Sequence, residues 1–209
     1  MTETANRIDA DLLEAWRKGD RRAQQRLVDR HRDAVFCFFA NKFIADADAL
    51  VEQTFATFMR REDPPDGLEA VFARLLATAH RVMSTKLTEL GGRALVDPAV
   101  SRMVDVAPNP RSVSARRREQ RLLLLAMRNL SIEHQTALEL RTFEELGVDA
   151  IAEIVGVEPA VASSRLAKAD RQLAELVEEL GESQDEIDAT LDNLELWMTR
   201  LRAQLLASA

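Results

Sequence analysis

Apolar residues recur at intervals of three and four along most of this chain, which is the spacing that places them on one face of an α-helix. Glycine and proline interrupt the pattern at Gly19-Asp20, over residues 60–67 and over residues 91–114. The pattern predicts an all-α protein with two helices around Gly19-Asp20, a third helix beginning near Asp46, and a helix over residues 68–90.

We divide the chain into two helical domains joined by a linker. The predicted first domain is 1–90, the linker is 91–114, the second domain is 115–181, and 182–209 is an amphipathic helical extension. A chain of 209 residues is long enough to bury two cores. The apolar positions expected in the first core are Leu12, Leu13, Trp16, Leu27, Val35, Phe38, Phe39, Leu50, Val51, Phe55, Phe58, Val71, Leu75, Ala79 and Val82.

Two short helices around a tight turn are predicted within residues 144–173. Gly147 is a candidate N-cap for a helix that ends at Val155, and Gly156 is suited to the left-handed conformation at a helix end. Pro159 is suited to the first turn of the next helix, because that position needs no amide donor. The second helix therefore begins near Glu158.

The second of these helices has an apolar face and a polar face. Ala162, Leu166, Ala169 and Leu173 recur at intervals of four, three and four, so we expect them to pack inward. The opposite face is small, hydroxylated and basic, which favours a helix-turn-helix that enters a major groove. A helical hairpin with a solvated outer face is the alternative. The outer face carries Ala160, Ser164, Ala167, Lys168 and Arg171, flanked by Val161, Ser163 and Arg165.

Two parts of the chain resemble extracytoplasmic-function (ECF) sigma factors. Residues 130–173, with Leu130-Ser131, Ala137 to Arg141 and Ser164-Arg165-Leu166, resemble the domain of that family that recognises the −35 promoter element. Leu12-Leu13, Gly19-Asp20, Ala34-Val35 and the segment ADADALVEQTFATFM at 45–59 resemble the N-terminal domain of the family, called region 2. The resemblance implies that 1–90 is region 2-like and that 115–181 is region 4-like.

The resemblance also implies functional residues. Asp48, Glu52 and Gln53 would contact core RNA polymerase, and the loop that contains Arg60 and Arg61 would capture a flipped-out base of the melted −10 element. The remaining candidate DNA contacts are Arg74, Arg81 and Lys86 on the helix over 68–90 and Ser163, Ser164, Arg165, Lys168 and Arg171 on the recognition helix.

The function expected from these features is that of an alternative sigma factor, which binds core RNA polymerase and directs initiation at promoters by recognising −10 and −35 elements. Promoter DNA and core polymerase are the expected partners, and an anti-sigma factor is a further candidate. One alternative is a degenerate sigma-like protein that binds polymerase or regulators without reading promoters, because Ala49, Arg74, Thr85, Ser163 and Asp170 differ from the usual family residues. Another is a helix-turn-helix regulator that dimerises through its C-terminal segment.

Charge and composition refine this interpretation. Nine of the 35 acidic residues lie between Gln172 and Thr199, where there is no lysine or arginine. The rest of the chain therefore has 26 acidic and 28 basic residues and is slightly positive. That distribution permits DNA binding despite a net charge of −7. The chain has no apolar run of twenty residues and no apolar signal-peptide core, so we expect a cytoplasmic protein without membrane insertion.

Catalytic and metal-binding motifs are absent from the sequence. The three histidines are dispersed, the single Cys37 lies in an apolar run and is expected to be buried, and no phosphate-binding glycine loop or nucleophile elbow is present. We therefore expect no enzyme activity, no cofactor and no metal.

The C-terminal segment has the apolar spacing of a coiled-coil seam. Its seam residues alternate steps of four and three, and Trp197 lies beside them. Two interpretations stay open, docking on the chain's own body and association with another copy or a partner. The seam residues are Ile187, Leu191, Leu194, Met198, Leu201 and Leu205.

Overall fold

A computed structural model describes residues 3–43, 45–61, 63–90 and 118–207, with side chains from Arg7 onward. All the secondary-structure elements in these residues are α-helices, which confirms the all-α prediction. No described helix is both long and apolar enough to cross a membrane. The helices are α1 Glu3–Arg17, α2 Arg21–Asp29, α3 Arg32–Ala40, α4 Ala47–Met59, α5 Leu68–Glu89, α6 Arg118–Asn129, α7 Ile132–Phe143, α8 Val148–Val155, α9 Pro159–Leu180, α10 Gln184–Asp192 and α11 Leu194–Leu206.

The turn between α1 and α2 lies at the predicted position. Gly19 has a φ of +93°, which favours glycine, and the Asp20 carboxylate caps α2 by accepting from the amides of Arg22 and Ala23. The expectation of only two helices before α4 was wrong. The chain also breaks at Arg30 and His31, so that α2 and α3 are separate helices.

The helices α3, α4 and α5 pack together, and α1 and α2 lie beside them. The loop over residues 60–67 joins α4 to α5 where two prolines and a glycine were expected to end the helix. Except for the partly buried Leu12, the apolar residues predicted for the first core are buried. Cys37 is also buried, and burial raises the pKa of its thiol to about 12.

The helices α6 to α9 form the second group. The side chain of Ser131 caps α7 by accepting from the amide of His134, and α9 packs against α6, α7 and α8. The four residues of α9 predicted to face inward are all buried, because their spacing keeps them on one side of the helix. They are Ala162, Leu166, Ala169 and Leu173.

The C-terminal segment consists of two helices rather than the single helix expected from its spacing. A break at Asn193 separates α10, which packs on α6, from α11, which packs on α3, α6 and α7. Met198, Leu201 and Leu205 of the predicted seam are buried, and so is Trp197. Burying each such side chain contributes about 1.5–3 kcal/mol, so docking on the chain's own body is well stabilised.

Helices of the two predicted domains also contact one another. The first helix of the helix-turn-helix, α8, packs on α5, and α7 packs on α3. The buried apolar residues of both groups form one cluster. The division into two domains therefore stays a prediction, and the predicted linker at 91–114 lies outside the described residues.

Candidate nucleic-acid interface

The first helix and the turn of the helix-turn-helix lie where the sequence indicates, whereas the second helix continues past Leu173 to Leu180. Gly147 is the N-cap of α8, and Gly156 ends that helix with φ +71° and ψ 41°, in the left-handed region. The amides of Gly156 and Val157 both donate to the carbonyl oxygen of Ala152. Pro159 then occupies the first turn of α9. The turn fixes the direction of α9 relative to α8, and so the orientation of its outer face.

The outer face of α9 is open to solvent. Ser163, Ser164, Lys168 and Arg171 are exposed, and among the described residues no ion pair joins Lys168 or Arg171 to a carboxylate. Hydroxyl groups and uncompensated cations on one exposed face are the groups that contact base edges and phosphates. We name the surface formed by these four residues the α9 face.

Two charged residues of α9 have intramolecular partners instead. Arg165, a predicted DNA contact, is mostly buried and pairs with Glu133 of α7 at 3.2 Å. Asp170 accepts two hydrogen bonds from Arg141, at 2.9 and 2.6 Å. The acidic residue that differs from the family pattern therefore holds α9 against α7, and lies beside the α9 face without neutralising its cations.

The loop over residues 60–67 is held by side chains from α1 and α2. These side chains donate to backbone carbonyl oxygens, and the loop's own Asp63 also pairs with Arg74 of α5. Gln24 is fully buried and is one of the donors. The hydrogen bonds join Arg17 to Pro65 at 3.1 Å, Arg21 to Met59 and Arg61 at 3.1 and 3.2 Å, and Gln24 to Arg61 at 3.3 Å.

An open groove of about 370 Å³ lies between α4 and α5, beside this loop. It brings together three predicted site residues, namely Gln53, Arg61 and Arg81. Among the residues that the structure describes, no carboxylate lines it. Its two guanidinium groups suit a phosphate or an acceptor on the edge of a base, and its three hydroxyl groups, which donate to carbonyl oxygens of their own helices, can accept from a base amino group. We name it the α4–α5 groove. Its lining residues are Gln53, Thr57, Arg61, Thr78, Arg81, Val82 and Thr85.

Two other cations predicted to contact DNA from this half are compensated, and Arg61 of the groove lies 4.0 Å from Asp63. Arg74 pairs with Asp63 at 3.2 Å, and Lys86 pairs with Asp46 at 3.0 Å. Arg81 is exposed and donates to the hydroxyl of Thr78. A phosphate that approached Arg74 or Lys86 would have to compete with the carboxylate that is already there. Arg60 is exposed at the end of α4.

The three predicted polymerase contacts lie on one exposed stretch of α4. Asp48, Glu52 and Gln53 are all exposed. Glu52 pairs with Arg32 of α3 at 2.8 Å, in a pair exposed on both sides. Gln53 also lines the α4–α5 groove, so the surface predicted to bind polymerase adjoins the surface predicted to bind DNA.

A buried ion pair between the two halves was not expected from the sequence. Lys42, just after α3, pairs with Glu139 of α7, and the two side chains are 0% and 3% exposed. Glu139 also accepts from Asn41 and Gln135, both at 2.9 Å. Burial of paired charge is tolerated when the remaining hydrogen bonds are satisfied, as here. In the sequence, the feature that could have indicated this buried pair was a lysine within the apolar run that ends at Phe43.

His80 of α5 lies close to this junction. Burial, together with the positive charges of Arg165 and Lys42, lowers the pKa of its imidazole to about 4. The imidazole is therefore neutral at pH 7. Its protonation would place a third positive charge between α5 and the helices that pack on it.

Comparison with protein-family models and with curated proteins found no match. In the described part of the chain, no group of three or more histidine, cysteine, aspartate or glutamate side chains could hold a metal ion.

Proposed function

We propose that this chain is an alternative sigma factor that binds core RNA polymerase and directs initiation at promoters. The observation that carries the proposal is the exposed α9 face, on a helix that follows a glycine-ended turn. This face combines hydroxyl groups with uncompensated Lys168 and Arg171. On the proposal, α9 enters the major groove of the −35 element, where Ser163 and Ser164 meet base edges and the cations meet phosphates.

The N-terminal half would act at the −10 element. The α4–α5 groove offers guanidinium and hydroxyl groups to a separated strand, and the loop beside it is held by its carbonyl oxygens. Arg60 and Arg61 of that loop, together with Arg81 of the groove, are the proposed contacts to the melted strand. The protein would supply no catalytic group, because the polymerase carries out the chemistry.

Binding of core polymerase through α4 is the first test. Reversing the charge of Asp48 and Glu52 with a D48K/E52K variant should weaken the complex about tenfold, since a charged contact at an interface of this kind contributes on the order of 1 kcal/mol or more. The matched control is D11K/E175K, which makes the same change in net charge at exposed positions on α1 and α9. Equal affinities of the two variants, measured by surface plasmon resonance, would contradict the polymerase contact.

A sigma-like protein that binds polymerase without reading promoters is the second candidate. The ion pairs of Arg74 with Asp63 and of Lys86 with Asp46 favour it, because they occupy two of the cations proposed to contact DNA. Such a protein would bind polymerase with the same dependence on α4, and would leave the sites of initiation unchanged.

The dimeric regulator has less support. Dimerisation through the C-terminal seam would need Met198, Leu201 and Leu205, and these residues are covered by helices of the same chain.

A further inference from the structure

The helix α11 contacts both halves of the molecule at once. It packs on α3 from the N-terminal half and on α6 and α7 from the C-terminal half. Arg202 of α11 pairs with Glu144, which follows α7, at 3.3 Å, and Gln204 donates to Gln120 of α6. Both Arg202 and Glu144 act electrostatically on Cys37 of α3. The fully buried thiol therefore marks the place where the three parts meet.

A body closed in this way is too small for two separate promoter elements. Elements named −35 and −10 are centred about 25 base pairs apart, or about 85 Å along the helix at 3.4 Å per base pair. A compact chain of this length has a radius of gyration of about 17 Å and is roughly 45 Å across. The α9 face and the α4–α5 groove cannot reach both elements while α8 packs on α5.

We infer that α11 is an intramolecular strap that holds the two halves closed, and that it must be released before both promoter elements are engaged. The need for release rests on the proposed function, whereas the strap itself rests on the contacts of α11. The helix α11 holds the two halves together because it packs on both of them. The buried pair of Lys42 and Glu139 is a second connection between the two halves.

The single cysteine reports whether the strap is closed. Since Cys37 is 0% exposed and faces the junction, its reaction with a thiol reagent requires the junction to open. Leu201→Asp places a charge at a position of α11 that is 6% exposed, whereas Leu196→Asp makes the same change on the same helix at a position that is 45% exposed. We expect Leu201→Asp to speed the modification of Cys37 on the order of tenfold or more, and Leu196→Asp to leave the rate unchanged.

A general loss of stability would also expose the thiol, so a third variant separates the two causes. Leu173→Ala removes a buried side chain of α9 that lies in the core of the C-terminal half. The reaction rates of Leu173→Ala and Leu201→Asp are compared at temperatures equally far below the melting temperature of each variant. If Leu173→Ala speeds the reaction of Cys37 as much as Leu201→Asp does, the strap is overturned. If Leu201→Asp prevents folding, Arg202→Ala with Glu144→Gln tests the same contact more mildly, and an unchanged rate would overturn it.

The proposed function is tested on the same samples through binding of core polymerase. If the wild-type chain does not bind polymerase, the proposed function fails while the reaction of Cys37 still decides the strap. The need for release is read from the transcripts that core polymerase makes with each chain. We expect Leu201→Asp to give more transcript from protein-dependent start sites than Leu196→Asp, because its two halves no longer have to be opened to reach both promoter elements. Equal yields from the wild-type chain, Leu196→Asp and Leu201→Asp would overturn the second part of the inference.

Discussion

The two surfaces proposed to contact DNA differ in how their cations are compensated. On the α9 face, Lys168 and Arg171 extend into solvent with no carboxylate partner among the described residues. On α5, Arg74 and Lys86 each have a carboxylate within 3.2 Å. A bare cation gains the whole benefit of releasing counterions from DNA, whereas a paired cation must first lose its partner. The difference indicates that duplex binding depends on α9, and that α5 contributes after its ion pairs are broken.

Both surfaces lie on helices that share one buried cluster of apolar residues. Loss of Glu139 should destabilise that packed structure more than any other change considered below. In the described part of the chain, Glu139→Ala leaves the buried ammonium of Lys42 without a counter-charge, with only the carbonyl oxygen of Phe38 still accepting from it. This change should lower the free energy of unfolding by about 3–5 kcal/mol. Glu133→Ala is the control, because it removes a half-exposed carboxylate from an ion pair of α9 with α7 and should cost about 0–1 kcal/mol. Urea denaturation measures both values. Equal losses for the two variants would mean that the buried pair does not join the halves.

Acid should loosen the same junction through His80. Its folded pKa of about 4 is below the ordinary value of 6.5, so the unfolded chain binds the proton first as pH falls. The stabilisation is complete above pH 6.5 and is lost as pH decreases toward 4, with a magnitude of at most about 3 kcal/mol because the ring is partly exposed. His80→Gln should show a shallower fall in unfolding free energy across this window. Parallel curves for the two proteins would contradict the burial of a neutral imidazole.

The difference in compensation predicts different salt dependences. For a mixed-sequence duplex, Lys168→Ala with Arg171→Ala should reduce the slope of log affinity against log salt by about two, because each phosphate contact contributes about 0.9. Each lost charge-assisted hydrogen bond should also cost about 1.5 kcal/mol of binding free energy. Arg74→Ala with Lys86→Ala should change the slope less. Fluorescence anisotropy titrations at several salt concentrations measure both slopes, and a larger change for the α5 variant would reverse the comparison.

Removing the partner of Arg74 should produce the smallest effect, and one of opposite sign. Asp63→Asn keeps the shape of the side chain and removes the carboxylate that lies beside both Arg74 and Arg61. Affinity for the same duplex should therefore increase by no more than about 1 kcal/mol. The gain should decrease as salt is raised. Asp66→Asn is the control, since Asp66 is an exposed carboxylate of the same loop. A gain of equal size in Asp66→Asn would show that only net charge matters.

The sequence predicted the parts of the fold that depend on local chemistry. The N-cap Gly147, the left-handed Gly156 and the helix-starting Pro159 act within a few positions of themselves, so their roles could be inferred without a structure. The break at Arg30 and His31 was missed because neither residue is a strong helix breaker. The break at Asn193 was missed because the apolar spacing continues through it.

The candidate site was predicted less completely, for a physical reason. Exposure of the α9 face follows from its helical period, but the pairing of Arg165 with Glu133 and of Asp170 with Arg141 depends on how α9 crosses α7. The pair of Lys42 and Glu139 joins residues 97 positions apart. Contacts at that separation are set by packing, which the pattern along one chain does not contain.

Initiation by core RNA polymerase is the most direct test of the proposed function. Purified core polymerase is incubated with this protein and a library of genomic fragments, and the 5′ ends of the transcripts are sequenced with and without the protein. The account predicts new discrete start sites that share upstream sequence at two positions, and their loss with the Lys168→Ala and Arg171→Ala variant. A set of start sites identical to that of core polymerase alone, from a chain that binds the polymerase, would contradict it.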